Sequence, residues 1–225
     1  FAGLMLFIFF RTFFAGDVIN ILNLDDGQLV FLFAGLIAIF VVTLVGFLDD
    51  LLIKKGGESS CGLRQWQKPL LTLTAAVPLM VVNAGTSRME LPFFGIVDFG
   101  ILYALLLVPI GFVGASNMVN LLAGFNGLEA GMGIIYLGSL GMYAFVNERY
   151  IASLIALMAF TSLIVFYLFN KSPAKILPGD SLTYFLGGTL ASIAILGNLE
   201  KAALVVSIPF FAEFVLKLRS RLKAQ

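Results

Sequence analysis

The sequence predicts an all-α, polytopic integral membrane protein, and three observations carry that expectation. Hydrophobic residues make up 60% of the 225-residue chain and charged residues only 12%, with a mean hydropathy of +1.03. A water-soluble domain carries about 25% charged residues, so the deficit marks surface that faces hydrocarbon. The apolar residues fall in runs near the length of a helix that crosses a bilayer. Backbone groups cannot be left unpaired in lipid, so these runs form helices rather than open strands.

About eight spans follow in order. The run 1–15 opens on Phe1 without a Met, which reads as the ordered part of a longer chain, so no cleavable signal is assigned from it. The run 28–48 is almost purely apolar and ends abruptly at Asp49 and Asp50. The span 69–84 begins with Pro69 at its first turn, preceded by Lys68. The span 101–122 carries Asn117 and Asn120 near its end, and 128–146 follows an Asn126-Gly127 turn. Spans 151–169, 181–196 and 202–216 complete the set, with a polar loop at 170–181 and a basic tail after Lys217. No fixed-period repeat and no long hydrophilic block interrupts them, so 1–225 reads as a single transmembrane domain.

Composition also narrows the chemistry. The lone Cys61 cannot form an intrachain disulfide, and no zinc-type ligand cluster occurs. Histidine is absent, so any catalysis falls to Asp, Glu, Lys, Asn or backbone groups. Net charge is +1 and selects no partner class; no nucleic acid is expected.

Assigning the loops alternately to two sides collects Lys54, Lys55, Arg64, Lys68, Lys171, Lys175, Lys217, Arg219, Arg221 and Lys223 on one face. The other face has Arg88, Arg149 and Lys201. The positive-inside bias makes the first face cytoplasmic. The unusual polar stretches, 49–68, 117–129, 170–181 and the tail, all lie on that face.

Asp49 and Asp50 are neighbours at the rim of a span and point about 100° apart on a helix, which gives them two different partners. Carboxylates at that depth face a wet cavity or a cation, or else mark a helix end in headgroup water. Lys68 is either a site residue or an interfacial anchor. Asn117 and Asn120 share a helix face at i,i+3. The Asn126 amide offers both a donor and an acceptor for a nucleobase edge, against the plainer reading of a left-handed turn residue. Asp180, after Gly179, reads as an N-cap, as a ligand at a helix N-terminus suited to anions, or as both.

Read together, Asp49-Asp50, then Asn117-x-x-Asn120 with Ala123-Gly124-Phe125-Asn126-Gly127-Leu128-Glu129-Ala130-Gly131, then Pro173 and Gly179-Asp180, resemble the polyprenyl-phosphate N-acetylhexosamine-1-phosphate transferases. The stretch from Asn120 to Gly131 is similar to the eukaryotic and archaeal branch that acts on UDP-N-acetylglucosamine and dolichyl phosphate. The bacterial peptidoglycan branch typically has Asp-Gly-x-Asp-Gly where this chain has Ala123-Gly124-Phe125-Asn126-Gly127. The resemblance runs from about Gly46 to the C-terminus and implies a fold of about ten transmembrane helices, with roughly one outside the chain at each end together with the last cytoplasmic loop.

The resemblance further implies an enzyme of the phosphotransferase type for substituted phosphate groups. It would transfer N-acetylglucosamine 1-phosphate from UDP-N-acetylglucosamine to a membrane polyprenyl (dolichyl) phosphate, releasing UMP, as the first step of lipid-linked oligosaccharide synthesis for N-glycosylation. Asp49, Asp50 and Lys68 fall at the catalytic positions, and Asp180 and Asn120 at those that hold Mg²⁺, with Mn²⁺ the substitute. Asn126 falls at the uracil-reading position and Leu177 at a site against the base, with Asn117 and Gly179 beside the substrates. The expected setting is the archaeal plasma membrane or the endoplasmic reticulum, with the site cytoplasmic. Another UDP-N-acetylhexosamine or another cell-envelope glycan is the alternative within the class, a transporter the alternative outside it, and both monomer and homodimer stay open. A phosphate monoester has a second pKa near 6, so the lipid phosphate is already the dianionic nucleophile at neutral pH and no strong base is needed.

Overall fold

A computed structural model describes residues 3, 25–55, 62–91, 95–122, 124 and 126–219. The expected span 1–15 lies outside the described residues except for Gly3. Helix α1 (Asp26–Lys55) starts with a reciprocal cap in which Gln28 N–H donates to Asp25 Oδ1 at 2.6 Å and Asp25 N–H donates to Gln28 Oε1 at 3.0 Å. Helix α2 (Gln67–Val81) is 15 residues long and contains Pro78. That length rises only about 22 Å, short of the bilayer hydrocarbon.

Strands β1 (Arg88–Leu91) and β2 (Gly95–Asp98) pair antiparallel after α2, with Arg88 opposite Asp98 and an ion pair of 3.2 Å between them. The spans read from sequence leave this hairpin as an ordinary loop. Its alternation is only four residues per strand, too short to stand out beside the apolar runs. A π-helical turn, Tyr103–Leu107, then leads into α3 (Val108–Leu121). Pro109 has no N–H to close an α-type bond and its ring crowds the preceding turn, so the widened turn accommodates it.

Helices α4 (Leu128–Val146) and α5 (Tyr150–Asn170) pack against each other through glycines. A Cβ at Gly133 would stand 2.5 Å from Leu163 Cδ2, and one at Gly141 would stand 3.0 Å from Ala156 Cβ. Helix α6 (Gly179–Gly197) is buried over most of its length and packs on α1, α3 and α5. Two glycines allow the backbones to meet: a Cβ at Gly46 would lie 2.4 Å from the Asp180 carbonyl oxygen, and one at Gly187 would lie 2.5 Å from Ser116 Cα. The expected span 202–216 is broken into α7 (Glu200–Val206) and α8 (Ile208–Arg219). The break precedes Pro209, which cannot donate into a continuing helix.

Five helices among the described residues are long and apolar enough to cross a membrane: Asp26–Ile53, Tyr103–Leu121, Leu128–Val146, Tyr150–Asn170 and Gly179–Gly197. The all-α polytopic membrane architecture therefore holds, with α2 and the α7–α8 pair as shorter pieces against it.

Candidate active site

The end of α1, the start of α2, the end of α3 and the start of α6 meet at one end of the bundle. Asp49 is buried there; its Oδ2 lies 2.6 Å from Lys68 Nζ and its Oδ1 accepts Leu63 N–H at 2.5 Å. Lys68 Nζ also donates to Asp180 Oδ2 at 2.9 Å, so one ammonium bridges two carboxylates drawn from α1 and α6. Burial disfavours the charged ammonium, but its hydrogen bonds to Asp49 and Asp180 outweigh that and hold the Lys68 pKa above its ordinary value. Lys68 sits before the apolar part of α2, and it is a partner of two acids rather than a headgroup anchor.

Asp50 does a different job, in line with the angular separation expected from the helix. Its Oδ1 accepts Asp180 N–H at 2.9 Å, and its Oδ2 accepts Ser181 N–H at 2.9 Å and the Ser181 hydroxyl at 2.5 Å. Those amides are first-turn donors that α6 cannot satisfy internally. The residue at the N-cap, Pro178, offers no side-chain bond, so Asp50 caps α6 from α1. Gly179 makes this possible. Its φ is +61°, and a Cβ there would fall 2.7 Å from Asp50 Oδ2.

Asp180 is thereby released from capping. Its Oδ2 faces Lys68 and stands 3.4 Å from Asn120 Nδ2, while Asn120 Oδ1 accepts the Thr183 hydroxyl at 3.2 Å. Asn117 does not join this group. Its Nδ2 donates to Thr72 Oγ1 at 3.1 Å and to the Val113 carbonyl at 2.8 Å, tying α3 to α2, and the Tyr184 hydroxyl lies 3.5 Å from its Oδ1.

Asn126 is exposed in the turn before α4, and the left-handed residue of that turn is Gly127 at φ +79°. The left-handed conformation of the plainer reading thus falls on Gly127, while Asn126 is a residue of the same turn. The loop is held from within: buried Glu129, in the first turn of α4, accepts Gly124 N–H through Oε1 at 2.7 Å. A Cβ at Gly127 would lie 3.4 Å from Lys171 Cα, so this loop rests on the start of the loop that carries Leu177. Leu177 is 70% exposed.

An apolar groove of about 370 Å³ runs along the flank of the bundle between α3, α6, α7 and α8. Gly111, Gly114, Met118, Ala194 and Phe211 line it, and a Cβ at Gly111 or Gly114 would meet nothing within 4 Å. One end lies a helical turn from Asn117; at the other the Tyr103 hydroxyl donates to Glu200 Oε1 at 2.5 Å.

The acidic cluster fits a hard divalent cation in one specific sense. Asp49 and Asp180 against Lys68 leave a net charge of −1, and Asp180 and Asn120 present a carboxylate and a carboxamide side by side. No group of three or more His, Cys, Asp or Glu that could cage a metal occurs among the described residues. Mg²⁺ needs no such cage, because it keeps waters and is usually held by one or two carboxylates together with substrate phosphates.

Sequence reasoning missed Thr183, Ser181 and Leu63, which hold Asn120, Asp50 and Asp49 in place. They are ordinary residues, with no signal beyond lying close to an assigned one.

A polytopic helical membrane protein with a charged site at one end of the bundle and an apolar groove along its flank defines the class. The chain belongs to glycosyl transferase family 4, whose family model matches residues 32–198. It is 38% identical over 192 residues to a Saccharolobus solfataricus protein provisionally named UDP-N-acetylglucosamine–dolichyl-phosphate N-acetylglucosaminephosphotransferase, covering 84% of this chain and 57% of that protein. A Sulfolobus acidocaldarius protein of the same provisional name is 32% identical over 191 residues, covering 84% of this chain and 55% of the relative. A phospho-N-acetylmuramoyl-pentapeptide-transferase of Thermotoga maritima is 37% identical over 171 residues, covering 73% and 53%. The chain thus spans little more than half the length of the curated relatives it matches.

Proposed function

We propose that the chain forms the core of a membrane phosphoglycosyltransferase that moves N-acetylglucosamine 1-phosphate from UDP-N-acetylglucosamine to a polyprenyl or dolichyl phosphate, with release of UMP. The observation that carries this reading is Lys68, bridged to Asp49 and Asp180 beside the capped N-terminus of α6. The names of the Saccharolobus and Sulfolobus relatives support the same substrates. The excess of Lys and Arg in the loops assigned to this side supports a cytoplasmic site, and the first step of lipid-linked oligosaccharide synthesis is the role we assign.

Two anions must be brought together, a lipid phosphate and the pyrophosphate of the sugar nucleotide. Lys68 supplies a fixed positive charge toward them, and Asp49 holds that ammonium in place. Asp50 acts by fixing the first turn of α6, so that Asp180 keeps its position. Asp180 and Asn120 would hold Mg²⁺, which when bound screens the phosphate charges. The lipid phosphate attacks directly, since it is already ionised and no residue has to remove a proton. Asn126 reads the uracil edge from its exposed turn, with Leu177 on the adjoining loop against the base. The groove accepts the isoprenoid chain, and its apolar walls cost that chain no desolvation of polar groups.

The test uses the full-length protein in bilayers, with UDP-N-acetylglucosamine labelled in the sugar and dolichyl phosphate as acceptor. The expected products are UMP and a labelled lipid pyrophosphate in equal amounts. Label transferred only from UDP-N-acetylmuramoyl-pentapeptide would shift the reading to the sugar of the Thermotoga relative, and no Mg²⁺-dependent product from either donor would overturn it.

A further inference from the structure

We propose that Thr183 is a positioning residue, the pivot on which the Asn120 carboxamide turns its oxygen toward a divalent cation at Asp180. The proposal rests on the metal reading above and goes beyond it to a residue that never touches the ion.

Thr183 is buried on α6, one turn after Asp180. Its hydroxyl lies 3.2 Å from Asn120 Oδ1 and 3.1 Å from the Asp180 main-chain oxygen. Thr43, Thr74, Thr161 and Thr189 donate their hydroxyls to carbonyls of their own helices. Thr183 has that choice and a second one, across to α3.

A carboxamide has two ends of nearly equal size, one accepting and one donating. With Oδ1 taking the Thr183 proton, Nδ2 points at the Asp180 carboxylate, 3.4 Å away, which suits a bare acid but would repel a cation. Half a turn about the Cβ–Cγ bond exchanges the ends. Oδ1 then faces Asp180 and whatever cation it binds, while Nδ2 needs an acceptor where Oδ1 stood. Thr183 Oγ1 is that acceptor, and its own proton is redirected to the Asp180 main-chain oxygen. The bond between Thr183 and Asn120 persists in both arrangements because a hydroxyl both gives and accepts. A buried valine of the same shape does neither, so the turned amide would keep an unpaired N–H.

The test is Mn²⁺ binding to the full-length protein in nanodiscs, read from the electron paramagnetic resonance signal of free Mn²⁺ without sugar nucleotide or lipid acceptor. Thr183→Val should weaken binding about tenfold, the size of one unmade hydrogen bond at a buried group, and Thr183→Ser should stay close to wild type. The Mg²⁺ concentration for half-maximal turnover should rise by the same factor in the valine variant, with turnover recovered at saturating Mg²⁺. Wild-type Mn²⁺ affinity in Thr183→Val, or equal losses in the serine and valine variants, would overturn the pivot. Asp180→Asn separates the two levels of the argument: if it too binds Mn²⁺ normally, the metal reading falls and the pivot with it, whereas a loss confined to Asp180→Asn removes the pivot alone.

Discussion

Replacing Gly179 with alanine sets two costs against each other at a single methyl group. The residue sits at φ +61°, where a side chain costs about 1–2 kcal/mol. The new Cβ would also stand 2.7 Å from Asp50 Oδ2 and 3.0 Å from Oδ1, so the carboxylate has to retreat. Retreat stretches bonds to the Asp180 and Ser181 amides that are now 2.9 Å each. A hydrogen bond to a charged group contributes about 1.5–3 kcal/mol, so losing one brings the total to roughly 2.5–5 kcal/mol. The assay is a double-mutant cycle of unfolding in detergent, with Gly179→Ala measured alone and in an Asp50→Ala background. Without the carboxylate only the conformational cost remains, so the alanine should be milder there by about 1.5–3 kcal/mol. Equal costs in the two backgrounds would refute the idea that Gly179 exists to let Asp50 cap α6.

Asp180→Asn should lower Mg²⁺-dependent turnover by more than about 100-fold while the protein stays folded, because the loss falls on charge at the pyrophosphate; wild-type turnover across a Mg²⁺ titration would remove Asp180 from the site. Asn126→Ala should weaken UMP binding by about 1–3 kcal/mol in calorimetry and leave the KM for lipid phosphate unchanged; lost stability with unchanged UMP affinity would make Asn126 a turn residue after all. Gly114→Phe fills the open flank of the groove, so the KM for the isoprenoid phosphate should rise about tenfold or more while that for the sugar nucleotide stays constant; an equal rise in both would place the lipid elsewhere. Direct attack inverts the transferred phosphorus, so a UDP-sugar made chiral at the β-phosphorus should give inverted product. Net retention, with a phosphosugar trapped on Asp49 or Asp50, would establish two displacements.

Much of the bundle was legible because lipid imposes length and apolarity on each crossing, and both can be read from one strand of sequence. The divergence of Asp49 and Asp50 was legible too, from the helical angle alone. What they diverge toward was not. The Asp50 bonds to α6 join residues 130 and 131 positions apart, and such a contact leaves no local periodicity. The same blindness made Asp180 look like a cap, when the cap is supplied by another helix. It also hid the second task of Asn117, whose amide nitrogen bonds Thr72 and the Val113 carbonyl. The break between α7 and α8 had a local signal in Pro209, but the run of apolar residues around it concealed the change of direction.

The trans cap on α6 also sets an order of assembly. Asp49 and Asp50 are synthesised about 130 residues before the amides and the lysine–aspartate bridge that complete them. At about 5–20 residues per second, α1 waits roughly 6–26 s with two carboxylates at the rim of the membrane. Lys68, arriving early on α2, can pair with Asp49 through that interval. The arrival of α6 closes the helix packing and the charge balance in one event. A nascent chain stalled before Gly179 would therefore present both an unfilled apolar centre and exposed acid at the same membrane face, a combination that marks the unfinished protein for any machinery that surveys the bilayer.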